Sequence, residues 1–433
     1  MTDAGRRSPE RAHVHEESTD TVRPSRPGRR VGRGFVTLYT LSYLGTCLLF
    51  IAPLTVTLAL KVNDLVGSAS APSSLALVAG AGSAVALVGN PVFGRLSDRT
   101  TSRWGMRRPW MVGGLLVGTA GILLVATASN VATVVLGWCI AQLSFNAVLA
   151  VHVAVLPDQV PTTQRGRVSG VLGVCLPVAS IGATFVVRMF SGHELAMFLL
   201  PCAIGGLFVV VFAANLDDRR LAPEARPAWT WRVAVDTLVV DPRRHPDFAW
   251  AFLSRFLLVM AYAFLTTYQV YFLLDRLHRT EAEIPSLVFL ATLLQSSAVV
   301  LASLVGGRLS DRAGRRKVFV GAAALVYALA MGLLGVATSL TGYLVAVTLS
   351  GLGFGLYFAV DLALVTQVLP DPADAAKDLG VFNYAGALPF ALAPAVAPAI
   401  LSLGAGSYGV LFAVAAACAA AGAFAILPVK ALR

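Results

Sequence analysis

Twelve long apolar runs separated by short polar segments limit what this chain can become. They cover approximately residues 36–60, 75–94, 110–128, 131–156, 168–190, 195–214, 249–273, 286–306, 318–337, 341–365, 380–402 and 407–428. A hydrocarbon layer about 30 Å thick is crossed by roughly 20 helical residues that rise about 1.5 Å each, and the runs meet that requirement. Spans of membrane β-barrels are about ten residues long with alternating polarity, which is a different pattern. Of the 433 residues, 57% are hydrophobic and only 13% charged, whereas a soluble domain carries roughly one-quarter charged residues. An all-α polytopic membrane protein of twelve spans is the expected fold class, with lipid as its solvent. The 39 glycines and 22 prolines sit largely within the runs. There glycine allows close helix approach, and neighbouring helices can satisfy the backbone groups that proline frees.

The basic residues set the expected orientation. With the N-terminus in the cytoplasm, all but Lys61, Arg188, Arg255, Arg276 and Arg279 of the 34 lysines and arginines fall in cytoplasmic segments, as positive-inside asymmetry requires. Both termini are then cytoplasmic, and the protein is expected in the inner (cytoplasmic) membrane as a monomer. Residues 1–34 are too poor in apolar side chains to form a core and read as a disordered tail that lies near anionic headgroups. About 34 polar residues before the first run are not the pattern of a cleavable signal peptide. Residues 35–214 and 249–433 form two groups of six spans, joined by a loop over 215–248 in which Trp229 and Trp231 suggest a short amphipathic piece. The net charge of +11 is dispersed among short loops, so topology accounts for it and nucleic acid is not expected. The five cysteines lie singly in apolar runs with no metal-ligand spacing. No metal and no cofactor are expected.

One hexapeptide occurs twice. Gly94-Arg95-Leu96-Ser97-Asp98-Arg99 follows the second run, and Gly307-Arg308-Leu309-Ser310-Asp311-Arg312 follows the eighth. More basic residues come next in both copies: Arg103, Arg107 and Arg108 in the first, Arg315, Arg316 and Lys317 in the second. A weaker correspondence relates Leu156-Pro157-Asp158 to Leu369-Pro370-Asp371. A repeat six spans long returns its loops to the same side, so the halves are parallel repeats about an axis along the membrane normal. In each copy the glycine would let the helix end approach its neighbour, and the aspartate would accept from backbone N–H groups or an arginine across the gap. Those contacts read as a gate: Gly94, Asp98, Arg99, Arg107 and Arg108, with Gly307, Asp311, Arg312, Arg315 and Arg316.

On these residues the chain resembles the major facilitator superfamily, over about 35–430. The second copy, continued through Ala313-Gly314-Arg315-Arg316, matches the superfamily's loop signature in full. The first departs from it by an insertion between Asp98 and Gly105, and that longer form is similar to the glycoside-pentoside-hexuronide and sucrose-type cation symporters. The resemblance implies alternating access by rocking of two six-helix bundles around a cavity lined by the first, fourth, seventh and tenth helices.

Charged groups within spans are expensive and point to function. Asp361, inside the tenth run, is expected to face the cavity and to exchange a proton, with His152 at the corresponding place in the fourth as its neighbour. A structural pair fastening two helices is the other reading of these two residues. Arg188 and Arg255 are expected to snorkel towards the headgroups. The neutral polar inventory offers candidates for a solute site: Tyr39, Tyr43, Gln142, Asn146, Tyr262, Gln269, Gln295, Tyr357 and Asn383. Amides and hydroxyls beside aromatic rings suit a neutral polyhydroxylated solute, although the same groups also stitch helices together. Proton-coupled symport of a small polar solute such as a sugar or glycoside is thus expected. Efflux of drugs or metabolites by proton antiport is the alternative on the same scaffold. An enzyme or sensor is disfavoured, since no nucleotide-binding loop, metal-ligand spacing or nucleophile triad is present in the sequence.

Overall fold

The computed structural model describes residues 30–221, 244–313, 316–368, 375–404 and 406–429. Most of the tail and of the 215–248 loop, and Arg315 with the side chain of Asp311, lie outside the described residues. Among the described residues, twelve helical segments are long and apolar enough to cross a membrane. They are α1 (Arg33–Val66), α2 (Ala71–Asp98), α3 (Arg108–Ala126), α4 (Val131–Gln159), α5 (Thr162–Met189) and α6 (Glu194–Asn215), followed by α7 (Pro246–Arg276), α8 (Ile284–Ala313), α9 (Arg316–Val336), α10 (Leu340–Val368), α11 (Ala375–Leu403) and α12 (Tyr408–Ala425). Among the described residues there is no strand.

The local causes of these boundaries are visible. Asn130, at the break between the third and fourth runs, accepts at 2.9 Å from the backbone N–H of Thr133 and so caps α4. Three prolines sit inside α11, at 389, 394 and 398. Pro398 has no N–H to give to the carbonyl four residues back, and the Tyr268 hydroxyl reaches that Pro394 oxygen at 3.4 Å. Helices α1 and α7, the first of each half, both contain a π-helical turn, at Pro53–Thr57 and Phe272–Arg276.

Helix packing follows the repeat. Within the first half α1 packs on α5 and α6, α3 on α4 and α6, and α2 on α4. The second half repeats each pairing six helices later, and the halves meet through α2 against α11 and α5 against α8. Small residues let the backbones approach: a Cβ on Gly45 of α1 would lie 2.5 Å from the carbonyl oxygen of Gly205 on α6. That role was expected of Gly94 and Gly307 and does not fall to them. Both are within helices, a Cβ on Gly94 would meet nothing within 4 Å, and one on Gly307 would meet only Ala359 at 3.9 Å. The repeated motif therefore forms the last turns of α2 and α8 rather than a tight loop, because its residues continue the helix past the apolar run.

At the face opposite the repeated motifs, Lys61 is buried near the tip of α1. Its ammonium donates to the Ala126 carbonyl at the end of α3 at 3.1 Å and pairs at 2.8 Å with Glu194 in the first turn of α6. A cation at a helix C-terminus and an anion at a helix N-terminus both complement the peptide dipoles.

Candidate functional site

On the face carrying the repeated motifs, the first copy centres on Arg107, buried at 5% exposure. Its guanidinium pairs with Asp98 at 2.7 Å and Asp158 at 2.8 Å and donates to the Ser97 hydroxyl at 2.5 Å. Burial opposes its charge, but Asp158 and Asp98 more than offset this and hold the guanidinium above its ordinary value. Asp218, just beyond α6, accepts from the backbone N–H groups of Arg107 and Arg108 at 2.8 and 2.9 Å and so caps α3. Arg108 also donates to the carbonyl of Leu216. In the second half Lys317, the counterpart of Arg108, donates to the Val429 carbonyl beyond α12 at 3.1 Å. These partners of Arg107 belong to α2, α4 and the exit of α6 in its own half. The contacts of Arg107 thus tie together one bundle and do not reach the second half. Arg99 forms the C-cap of α2, Arg312 is exposed in the last turn of α8, and Arg316 opens α9.

His152 lies in a second, wholly buried cluster between α1 and α4. Its Nδ1 is 2.9 Å from the Val148 carbonyl, which can only accept, so Nδ1 carries the proton and Nε2 accepts from the Ser42 hydroxyl at 2.6 Å. Tyr39 donates to the His152 carbonyl at 2.6 Å, and Tyr43 meets the imidazole edge-on at 6.5 Å. Both ring nitrogens are thus engaged, Nδ1 within α4 and Nε2 in fastening α4 to α1, and the expected pairing with Asp361 is replaced by these local partners.

Asp361 finds a different partner. Its Oδ2 forms an ion pair at 3.0 Å with Arg255 of α7, while Oδ1 is buried without a hydrogen-bond partner. Arg255 does not snorkel: its guanidinium lies over the Phe382 ring at 5.1 Å, with Gly386 leaving space beside it. The pair borders a cleft of about 130 Å³ lined by Val259, Tyr262, Phe354, Tyr357, Phe358 and Phe390 of the second half and by Leu176 of α5. Tyr262 and Phe354 stack at 4.3 Å in one wall.

Of the expected solute ligands, Tyr262 and Tyr357 face this cleft. The others occupy contacts elsewhere. Asn146 donates to the Gln142 carbonyl at 2.8 Å and accepts from Asn90 at 3.3 Å. Gln269 accepts from Tyr343 at 3.2 Å, Gln295 donates to Ser350 at 2.9 Å, and Asn383 is exposed. Sequence reasoning missed Arg255 as a site residue, because nine residues from a helix start reads as snorkelling distance until its partner is known. The signal that could have found it was a lone arginine and a lone aspartate in spans of the same half.

Several polar contacts between the halves lie at the face opposite the repeated motifs. The Tyr271 hydroxyl lies 3.3 Å from the Ala59 carbonyl and 3.2 Å from that of Ala71, Asn63 donates to Glu281 at 2.5 Å, and Arg188 sits over the Phe289 ring at 5.2 Å.

The family model described as the Major Facilitator Superfamily matches residues 35–294 and again 251–432. Solved structures of the nucleoside transporter NupG and of a D-xylose-proton symporter superpose with TM-scores of 0.69 and 0.70 at 16% and 12% identity, each over 92% of this chain and 99% of theirs. An uncharacterized symporter of Synechocystis sp. is 59% identical over 29 residues, 7% of this chain and 5% of that relative's length.

Proposed function

The chain belongs to the major facilitator superfamily, and from that premise we propose that it is a proton-coupled symporter of a small solute, with Asp361 as the group that takes and releases the proton. It is a multi-pass membrane transporter rather than an enzyme, and secondary transport by alternating access is the activity of such a scaffold. The observation that carries the coupling assignment is the pair itself. One oxygen of a buried carboxylate faces a permanent cation, the Tyr357 hydroxyl acts on the same group from one turn earlier, and Oδ1 has no direct partner among the described residues, so Oδ1 is the oxygen open to a proton.

With the termini in the cytoplasm of a cell whose inner membrane holds the protein, the Tyr271 and Asn63 contacts close the outer face. Proton and solute would load from outside once those contacts part. They would leave inward in the state described here, and each ligand would shift the two states only by its differential affinity for them. A guanidinium at the cleft argues against efflux of hydrophobic cations. A neutral sugar, the solute expected from the amide inventory, finds two tyrosine hydroxyls and the ion pair in this cleft but none of the amides.

Proteoliposome uptake of labelled solutes with and without an inward proton gradient tests the proposal. Gradient-driven accumulation that Asp361→Asn abolishes, with the variant still folded, is expected. Equal accumulation by the variant removes Asp361 from coupling, and outward movement of hydrophobic cations supports antiport instead.

A further inference from the structure

The charges in the cleft also bear on the chemical class of the solute. Arg255 carries five N–H donors, and among the described residues its polar partner is Asp361 alone, through Nη1. Its other neighbour, the Phe382 ring, holds the guanidinium by its face and takes no proton. The cleft is otherwise apolar or aromatic, with Val259, Phe354, Phe358 and Phe390 among its walls.

Counting charge gives the consequence. Empty, the cleft holds one guanidinium and one carboxylate and is neutral. When Asp361 binds a proton, the ion pair is lost and one positive charge remains among apolar walls, which is costly unless an anion replaces the carboxylate. A solute bearing one negative charge restores neutrality, and a solute without charge does not. Resting on the reading of Asp361 as the proton site, we propose that the transported solute is an organic monoanion, a carboxylate on a flat aromatic or apolar body, which takes Arg255 from Asp361 as Asp361 takes the proton. The proton adds to a carboxylate oxygen of Asp361, the Arg255 to Asp361 contact breaks, and the solute carboxylate forms the new contact. On release the solute leaves, the proton dissociates, and the original pair re-forms. One proton and one negative charge cross together, so the cycle moves no net charge, and both the empty and the loaded cleft reorient as neutral units.

The groups that act on Asp361 from the surrounding helices are few. Arg255 comes from α7 and Tyr357 from one turn earlier on α10, with the hydroxyls of Tyr262 and Tyr327 beyond. Helix α11 presents Phe382 and Gly386, α5 presents Leu176, and α8 lays Ser303 and Gln295 against α10. Within this set Asp361 is the one carboxylate.

The probes are labelled 4-hydroxybenzoate, its neutral isostere 4-hydroxybenzamide, and sucrose, bound to the purified full chain and carried into proteoliposomes against protein-free vesicles. Binding of 4-hydroxybenzoate should tighten about tenfold for each unit of pH lowered while Asp361 is ionised, with one proton taken up per anion, and the benzamide should bind at least tenfold more weakly. Uptake driven by the pH gradient should not respond to a potassium diffusion potential set with valinomycin. In Asp361→Asn, which leaves Arg255 unpaired, 4-hydroxybenzoate should still bind but with its pH dependence gone. Arg255→Gln should lose anion binding and Arg255→Lys should recover part of it. Proton-driven uptake of sucrose that responds to the membrane potential, with 4-hydroxybenzoate not bound, overturns the anion assignment and leaves Asp361 as the proton site. Anion binding with an unchanged pH slope in Asp361→Asn overturns the proton reading itself.

Discussion

Replacing Arg107 by glutamine separates two roles for the basic cluster after α2. The side chain is 5% exposed and holds Asp98, Asp158 and Ser97 at 2.5 to 2.8 Å. Removing one member of a buried ion pair costs about 3–5 kcal/mol because the other charge is stranded. Here the Asp98 and Asp158 side chains are 53% and 36% exposed, so water recovers much of that loss and about 2 kcal/mol remains. For a folding unit of a half's size, each kcal/mol moves the midpoint by about 2–4 °C, which gives a fall of about 4–8 °C. Thermal unfolding in detergent, followed by size exclusion, reads the shift directly. The partners named for Arg107 lie in its own half, so the balance between the two access states should stay put. Labelling of a cysteine placed at the opposite face, near Asn63, should proceed at the parental rate. An unchanged midpoint together with labelling slowed several-fold, as expected if an inner latch were lost and the outer face stayed closed for longer, would refute this reasoning and make the cluster a latch between halves.

Three further outcomes follow from other contacts. Tyr271→Phe deletes a hydroxyl that bridges α7 to α1 and α2; a contact of about 0.5–1.5 kcal/mol should shift the equilibrium towards outer opening by about two- to tenfold, seen as faster labelling at the outer face with little change in melting. His152→Ala removes the acceptor of Ser42 and the ring that fastens α4 to α1, so stability should drop by about 2 kcal/mol while the pH dependence of uptake in the folded fraction persists; loss of that pH dependence would return His152 to the coupling step. Gly45→Val should abolish monodisperse protein, because the added carbons meet the backbone of Gly205, whereas Gly94→Ala, with nothing within 4 Å, should be recovered at the parental yield.

Chain length in apolar runs, their spacing and the duplicated hexapeptide were sufficient to read twelve helices and a six-helix repeat. The bilayer imposes its thickness on each segment separately, so that information is local and one-dimensional. The ends differ by a few residues because helices such as α2 and α8 continue through polar turns outside the hydrocarbon, where apolarity no longer marks them. Partnership between side chains was decided only by the tertiary structure. Asp361 could be singled out from its position in a span, but whether it meets His152 or Arg255 depends on which faces α4, α7 and α10 turn to one another. Three of the amides that read as a solute site, Asn146, Gln269 and Gln295, bond to an adjacent helix, since an amide among apolar walls must find an acceptor or donor and a neighbouring helix offers one.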